Sequence, residues 1–152
     1  MKRHFAMVKP YLDDVELMVI ASSLNGQPWC TTVYFAYDED LNIYFMSRMA
    51  RRHSMELAEN AKASVALASQ KYHWGDSSKG LQAEGRCEAL ADAKIAHALD
   101  VYVRRFPRVA SVFDLEEIKR GHASETVWQF TPQMIKVYDV NKYVHEGTEL
   151  RD

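Results

Sequence analysis

Short apolar runs separated by polar turns fill the first part of the chain. The run at 15–23 ends just before Asn25-Gly26, a dipeptide typical of tight turns, and this order predicts a buried strand entering a hairpin. β-branched and aromatic residues in the next segment predict its partner strand. The pattern therefore predicts a three-strand meander, with strands at 15–23, 28–37 and 43–47.

Three later segments have the character of helices. Between residues 92 and 106 the apolar positions recur at helical spacing on one face, and Pro107 ends the pattern. That face consists of Ile95, Leu99, Tyr102, Val103 and Phe106. Shorter helices are predicted at 50–59 and 114–120.

Four further apolar or alternating segments predict strands. They lie at 62–69, 81–90, 125–130 and 133–140, the last two as a closing pair around Thr131-Pro132. Residues 70–80 form a polar loop, and residues 141–152 form a polar tail. Mostly sequential strands with a few helices between them favour a mainly β fold, an antiparallel barrel or curved sheet, over a parallel α/β fold.

Gly85 interrupts the predicted strand at 81–90. A glycine inside a strand weakens it unless the absence of a side chain is needed. The position therefore predicts a β-bulge or the close approach of another backbone.

Composition limits the classes of protein that this chain can represent. Its 152 residues predict one domain, with 141–152 as a tail, and the net charge of −2 argues against nucleic-acid binding. Cys30 and Cys87 are too few for a disulfide scaffold, which favours free thiols in a reducing compartment. Neither a signal-peptide pattern nor a membrane-length apolar run is present, so we expect a cytoplasmic protein.

Basic residues cluster at 48–53 and again at Arg104, Arg105 and Arg108. Two short clusters suit a small anionic ligand better than a polymer. The first falls at the positive end of the helix predicted at 50–59, where cations are normally unfavourable. Either Arg52 pairs with Glu56 on a solvated helix face, or the cluster and the free N–H groups hold an anion such as a phosphate.

Sequence motifs for hydrolytic or metal chemistry are absent. The six histidines form no HExxH motif and no ligand-like pairing, so no metal site is predicted. GxSxG, GxGxxG and Walker A motifs are also missing. Any chemistry would then be carried by a cofactor.

Five stretches, in this order and spacing, resemble one known family. They are "PWCTTVYF", "YFMSRMARRHSMELAEN", "GLQAEGRCEAL", "YVRRFP" and "VWQFTPQMIKV". Over residues 13–140 the chain resembles the pyridoxamine 5′-phosphate oxidase-like superfamily of FMN-binding split β-barrels, and within it a small bacterial subgroup of unassigned function. The resemblance implies an antiparallel split β-barrel of about six or seven strands with flanking helices, and a homodimer with flavin sites at the interface.

The resemblance also implies which residues contact the cofactor. The FMN phosphate would lie at Arg52 and His53, with Arg51 beside them. The other implied positions lie along the second and third strands, with two weaker positions further on: Thr31, Thr32, Val33, Tyr34, Met46, Ser47, Gln82 and Tyr138. Trp29 and Trp128 are either ring-packing residues or core residues.

The chain departs from the family at the second phosphate site, which binds the B6 substrate. Tyr102 matches, but Phe106 and Ala110 replace an arginine and a serine, and Ala36 replaces a lysine. Vitamin B6 oxidation is therefore not the expected activity. Arg104 and Arg105 either rebuild an anion site or form a salt-bridged helix end.

Three functions remain open at this point. The first is an FMN-dependent oxidoreductase that uses a small-molecule electron donor or acceptor, with no side chain assigned a catalytic role. The second is a non-catalytic flavin carrier or redox-responsive binding module. The third is the same barrel holding haem or a deazaflavin.

Overall fold

A computed structural model describes residues 1–69, 78–139 and 147–151. The strands are β1 Leu17–Leu24, β2 Gln27–Tyr34, β3 Ala36–Tyr37, β4 Ile43–Arg48, β5 Lys62–Ala68, β6 Lys79–Ala89, β7 Glu125–Asp139 and β8 Thr148–Arg151. The α-helices are α1 Phe5–Asp13, α2 Arg52–Glu59, α3 Ala93–Arg105, α4 Val109–Val112 and α5 Leu115–Lys119, and a 3₁₀ turn at Lys2–His4 precedes them.

All eight described strands belong to one antiparallel sheet. Their order is β2-β1-β5-β6-β7-β4-β3, and β8 pairs with β7 outside that path. The sheet curls so that β2, at one end, contacts β4 near the other end. This half-closed sheet with flanking helices confirms the predicted split barrel. The strand count exceeds six or seven because β3 is a two-residue strand and β8 lies in the predicted tail.

The Asn-Gly hairpin is confirmed. Asn25 and Gly26 both have positive φ angles, 52° and 79°, and Leu24 lies opposite Gln27. Two consecutive residues in this region match the right-handed twist of the flanking strands, which suits a two-residue turn. The hairpin places β2 along the edge of the sheet.

Gly85 lies at a β-bulge against a neighbouring backbone, as its position predicts. The pairing of β6 with β7 shifts register between Glu84 and Gly85. A Cβ atom on Gly85 would lie 2.2 Å from the carbonyl oxygen of Thr131 and 2.9 Å from the Cα of Pro132. Only glycine fits at this distance.

The prediction of two strands at 125–130 and 133–140 is wrong. Residues 125–139 form one strand, β7, which pairs with β6 on both sides of Pro132. Proline has no N–H to donate, and it is tolerated here because it lies opposite the bulge at Gly85. The first half of β7 pairs with β4 and the second half pairs with β8.

The chain termini contribute more structure than the sequence pattern indicated. Helix α1 was not predicted, although Val8, Tyr11 and Leu12 bury one face of it in the core. Part of the predicted tail, at 148–151, is strand β8. The rest of the tail at 141–146, most of the predicted loop at 70–80, and Asp152 lie outside the described residues.

The buried hydrophobic residues form two clusters. The larger contains Trp128 and Phe45, whose rings stack with centroids 6.2 Å apart. Trp128 is fully buried, so it is a core residue and not a ring-packing residue of an open site. The smaller cluster packs α3 against the sheet through Ile95, Leu99 and Tyr102 of the predicted face.

Candidate functional site

A cavity of about 890 Å³ lies where the ends of β2, β4 and α3 meet the start of α2. This volume is within the range of small-molecule sites. The lining combines aromatic and apolar side chains with polar and charged ones. Its members include Tyr34, Tyr102, Phe106, Phe113, Thr32, Ser47, Arg48, Arg51, Arg105, Arg108, Glu16 and Glu125.

Six of the sequence-predicted cofactor residues line this cavity. They are Thr32, Val33, Tyr34, Met46, Ser47 and Arg51. The other five, Thr31, Arg52, His53, Gln82 and Tyr138, do not line it. The two basic clusters of the sequence also meet here, because Arg48 and Arg51 come from the first and Arg105 and Arg108 from the second.

Arg52 faces away from the cavity. Its Nε donates a 2.7 Å hydrogen bond to Glu56 Oε1, and its guanidinium carbon lies 4.2 Å from the centre of the Trp29 ring. Ser22 Oγ donates to the other oxygen of Glu56 at 2.6 Å. The Ser22 hydroxyl, with Arg52, lowers the pKa of the Glu56 carboxyl and keeps it charged. The helix-face pair of Arg52 and Glu56 is therefore present.

His53 is buried behind the cavity wall. Its Nε2 lies 2.7 Å from Ser47 Oγ, and Ser47 itself lines the cavity. Burial lowers the pKa of the imidazole, and the charge of Arg51 lowers it further, against an opposing effect of Glu56. The ring is therefore neutral at pH 7, and His53 does not act as a fixed cation.

This lowered pKa predicts a pH-dependent stability. The unfolded chain binds a proton at His53 near pH 6.5 and the native protein binds it only at lower pH, so the stability present above pH 6.5 is lost as pH falls below it. We expect the free energy of unfolding of the protein without ligand to fall more steeply between pH 7 and pH 5 than that of His53→Gln. Urea unfolding at several pH values measures this. Parallel curves for the two proteins would contradict it.

Arg51 is the N-cap residue of α2 and has an extended backbone, with φ −77° and ψ 145°. Its side chain makes no capping hydrogen bond, so it leaves the N–H groups of the first helical turn available to another acceptor. No ion pair joins Arg51 to any described residue, whereas Arg48 pairs with Glu125 at 3.0 Å. Arg51 thus brings a guanidinium without an ion pair to the cavity, beside a helix start that has no side-chain cap.

The remaining predicted residues lie elsewhere in the chain. Thr31 is opposite Ile20 on the inner face of the sheet. Gln82 is exposed on the outer face, between Ala66 and Lys136. The hydroxyl of Tyr138 lies against Gly80, where a Cβ atom would be only 2.3 Å away. These three residues are not brought together with the cavity within one chain.

Arg105 forms no salt bridge with any described residue, so it is not a salt-bridged helix end, and its part in an anion site stays a prediction. It donates hydrogen bonds to the carbonyl oxygens of Leu12 and Val15, at 2.9 and 2.5 Å, and its guanidinium carbon lies 4.5 Å from the centre of the Phe35 ring. It therefore ties α3 to the turn between α1 and β1. Arg104 donates to the carbonyl oxygen of Asp100.

Sequence reasoning missed the wall formed after α3. Phe106, Arg108, Val109 and Phe113 all line the cavity, and none was assigned to the site. One sequence feature could have indicated this wall, namely the second basic cluster. That cluster predicts a small anionic ligand, but the sequence pattern does not assign it to the cofactor site. Among the described residues, no group of His, Cys, Asp or Glu side chains could hold a metal ion.

The curled antiparallel sheet, the flanking helices and the cavity at its open end define a split-barrel protein. The chain belongs to the pyridoxamine 5′-phosphate oxidase family, whose model matches residues 6–139. No curated protein matches it in sequence. Within the described residues, no helix is long and apolar enough to cross a membrane.

Solved structures share the fold at low sequence identity. A haem-binding protein from Mycobacterium smegmatis matches with a TM-score of 0.75 and 14% identity, over 93% of this chain but only 55% of that one. A nimC/nimA family protein from Clostridium acetobutylicum matches with a TM-score of 0.72 and 11% identity, over 98% and 92% of the two chains. An FAD-binding protein from Mesorhizobium loti matches with a TM-score of 0.65 and 18% identity, over 88% and 93%. These likenesses show the fold alone.

Proposed function

We propose that the cavity binds FMN, with the phosphate at Arg51, Ser47 and the start of α2. The observation that carries this proposal is the meeting of a free arginine, a hydroxyl and an uncapped helix N-terminus at one corner of a cavity. Charge-assisted hydrogen bonds and helix N–H groups are the partners that phosphate prefers. β2, from Thr32 to Tyr34, supplies the wall along which the ribityl chain and ring would lie.

The activity that we propose is that of an FMN-dependent oxidoreductase. FMN, when bound, would supply the electron or hydride transfer. The chain supplies binding, orientation and exclusion of water, through the aromatic wall of Tyr102, Phe106 and Phe113.

The ionisable groups of the cavity support a cofactor-centred chemistry. Burial raises the pKa of Tyr102 to about 12, and its hydroxyl donates to the carbonyl oxygen of Tyr34 at 3.3 Å. The hydroxyl of Ser124 and the guanidinium of Arg48 lower the pKa of Glu125. At neutral pH one group stays protonated and the other stays ionised, so neither is poised to exchange a proton. Redox chemistry would then rest on the flavin.

The experiment that tests FMN binding begins with the protein as purified. Mass spectrometry of the released small molecules and the absorption spectrum should both identify FMN, and the protein stripped of ligand should bind FMN more tightly than riboflavin. The spectrum of haem or of a deazaflavin, or equal affinity for FMN and riboflavin, would contradict the proposal.

A second measurement separates an enzyme from a carrier. An oxidoreductase should oxidise NADH or NADPH and reduce an added electron acceptor, and the rate should depend on bound FMN. FMN bound without any turnover across a panel of quinone, nitro and nicotinamide compounds would favour the carrier.

We also propose that two copies of this chain associate through the outer face of the sheet. Apolar side chains project there from β1 and β2: Leu17, Val19 and Tyr34 are 42%, 39% and 54% exposed. A contiguous apolar face on a soluble domain is typical of an interface, and two-fold dimers bury the same face of both copies. Leu17 and Tyr34 also line the cavity, so a second copy on this face would border the flavin site.

Replacing Val19 by arginine should convert the dimer to a monomer, because the added charge would be buried against the apolar face of the partner. Light scattering on a size-exclusion column measures the mass. The control is Met7→Arg, because Met7 is 41% exposed on α1, which contributes no residue to the cavity beside the proposed interface, and it should leave the dimer intact. A wild-type monomer with FMN bound, or a dimer that tolerates Val19→Arg, would contradict this interface.

A further inference from the structure

Ser47 connects the cavity to the buried ring of His53. The Ser47 side chain lines the cavity at the end of β4, and its Oγ lies 2.7 Å from Nε2 of His53. His53 does not line the cavity, and it follows Arg51 by two residues at the start of α2. Any effect of His53 on a ligand in the cavity therefore acts through Ser47 or through charge.

The direction of this hydrogen bond decides what Ser47 offers to a ligand. A hydroxyl carries one hydrogen, and an imidazole nitrogen is either a donor or an acceptor. When Nε2 has no proton, the Ser47 hydrogen is used on it and the cavity faces only oxygen lone pairs. When Nε2 has a proton, Ser47 accepts from it, and the Ser47 hydrogen is free to donate into the cavity.

A phosphate ligand distinguishes these two states. Its oxygens are acceptors when it is fully ionised, so it interacts favourably only with the state in which Ser47 donates. Its negative charge also favours a positive charge nearby. Both effects favour a proton on Nε2.

The charges already present near His53 still allow its imidazole to take up a proton when an anion binds. Arg51 on the same helix disfavours the imidazolium and Glu56 favours it, while the guanidinium of Arg52 is held by Glu56. Helix α2 packs against β1, β2 and β6. The inward-facing residues of β1 (Met18, Ile20, Ser22), of β2 (Trp29, Thr31, Val33) and of β6 between Leu81 and Cys87 carry no charge. Next to Ser47 on β4, Arg48 is paired with Glu125 at 3.0 Å. An anion beside Arg51 would therefore be the main new charge that His53 experiences.

We propose that His53 is a positioning residue for the FMN phosphate, which it serves by holding the Ser47 hydroxyl in the donating direction when Nε2 carries a proton. The neutral Nε2–H tautomer also frees the Ser47 hydrogen, but the negative charge of the phosphate favours the imidazolium over that tautomer, so FMN binding should be accompanied by proton uptake at His53. This inference rests on the proposed binding of FMN in the cavity.

Two substitutions distinguish the hydrogen bond that His53 donates to Ser47 from the proton uptake. His53→Gln keeps an N–H donor for Ser47 but cannot take up a proton, so it should bind FMN well and lose the proton uptake. His53→Leu keeps a buried side chain but removes the donor, and it should bind FMN about fivefold more weakly, the difference expected for one modest hydrogen bond. Riboflavin, which has no phosphate, should bind all three proteins alike, and this binding shows that each variant is folded.

The experiment is isothermal titration calorimetry of FMN and riboflavin at pH 6.5, in two buffers of different ionisation enthalpy, which counts the protons taken up. Titration of the phosphate contributes equally to every variant, so the difference between wild type and His53→Gln isolates His53. We expect wild type to take up more protons than His53→Gln with FMN, and no difference with riboflavin.

Equal proton counts in wild type and His53→Gln, with FMN still preferred over riboflavin, would overturn the role of His53 alone. Equal FMN affinity of His53→Leu and wild type would overturn it as well. Equal affinity of the wild type for FMN and riboflavin would instead overturn the proposed phosphate site, and the inference with it.

Discussion

Replacing Arg51 by alanine should weaken FMN binding about 10- to 100-fold and leave riboflavin binding nearly unchanged. Arg51 lines the cavity beside the uncapped start of α2 and pairs with no described carboxylate, so its charge is available to a phosphate. A hydrogen bond to a charged group contributes about 1.5–3 kcal/mol, and each 1.4 kcal/mol changes the affinity tenfold. Fluorescence titration of both flavins against both proteins measures the effect.

Arg52→Ala is the matched control for this prediction. The two arginines are neighbours in sequence, but Arg52 is held by Glu56 and Trp29 outside the cavity. Its removal should change FMN affinity by less than about threefold, since no contact with the phosphate is lost. A larger loss of FMN affinity in Arg52→Ala than in Arg51→Ala would place the phosphate on the other side of the helix start. Equal losses of FMN and riboflavin in Arg51→Ala would show that the residue does not contact the phosphate.

Gly85→Ala should lower the free energy of unfolding by about 3 kcal/mol, the upper part of the range for an added group in a closely packed site. The added methyl would meet the carbonyl oxygen of Thr131 at 2.2 Å and the Cα of Pro132 at 2.9 Å, and both are backbone atoms that cannot rotate away. Relief requires that β6 and β7 separate at the bulge. Urea unfolding followed by tryptophan fluorescence measures the loss.

Ala89→Gly, at the exposed end of the same strand, provides the comparison. It changes the same two residue types in the opposite direction and should cost no more than about 1 kcal/mol, because only backbone entropy is involved. A Gly85→Ala protein as stable as the wild type would mean that the bulge is wider in solution than in this structure.

Local patterns predicted those parts of the fold that local chemistry determines. Asn25-Gly26 gave the hairpin because few residue pairs adopt two positive φ angles, and Gly85 marked the bulge because no side chain fits there. The prediction at Pro132 was wrong for the same local reason: proline normally ends a strand, and it is acceptable here because the register with β6 shifts beside it, between Pro132 and Met134. Helix α1 was missed because its three buried residues form a single short face around Pro10.

The candidate site was predicted as a region but not residue by residue. Successive helix residues point about 100° apart, so a shift of one position at the start of α2 decides whether Arg51 or Arg52 faces the cavity. Sequence spacing does not locate a helix start that accurately. The wall from Phe106 to Phe113 depends on how α3 packs against the sheet, a tertiary relation that no local pattern contains. Gln82 is exposed on the outer face of β6 and Tyr138 packs against Gly80, so neither position lines the cavity within one chain.

The length of strand β7 affects how the sheet unfolds. Its 15 residues continue through the bulge, so one backbone carries the ladder to β4 in its first half and the ladder to β8 in its second, with β6 alongside both. Neither half of the sheet can open as an independent foldon without breaking a ladder that the other half shares. The wall of the cavity formed by β4 is therefore hydrogen-bonded to a strand whose other half pairs with β8, so we expect this wall to unfold together with the rest of the sheet.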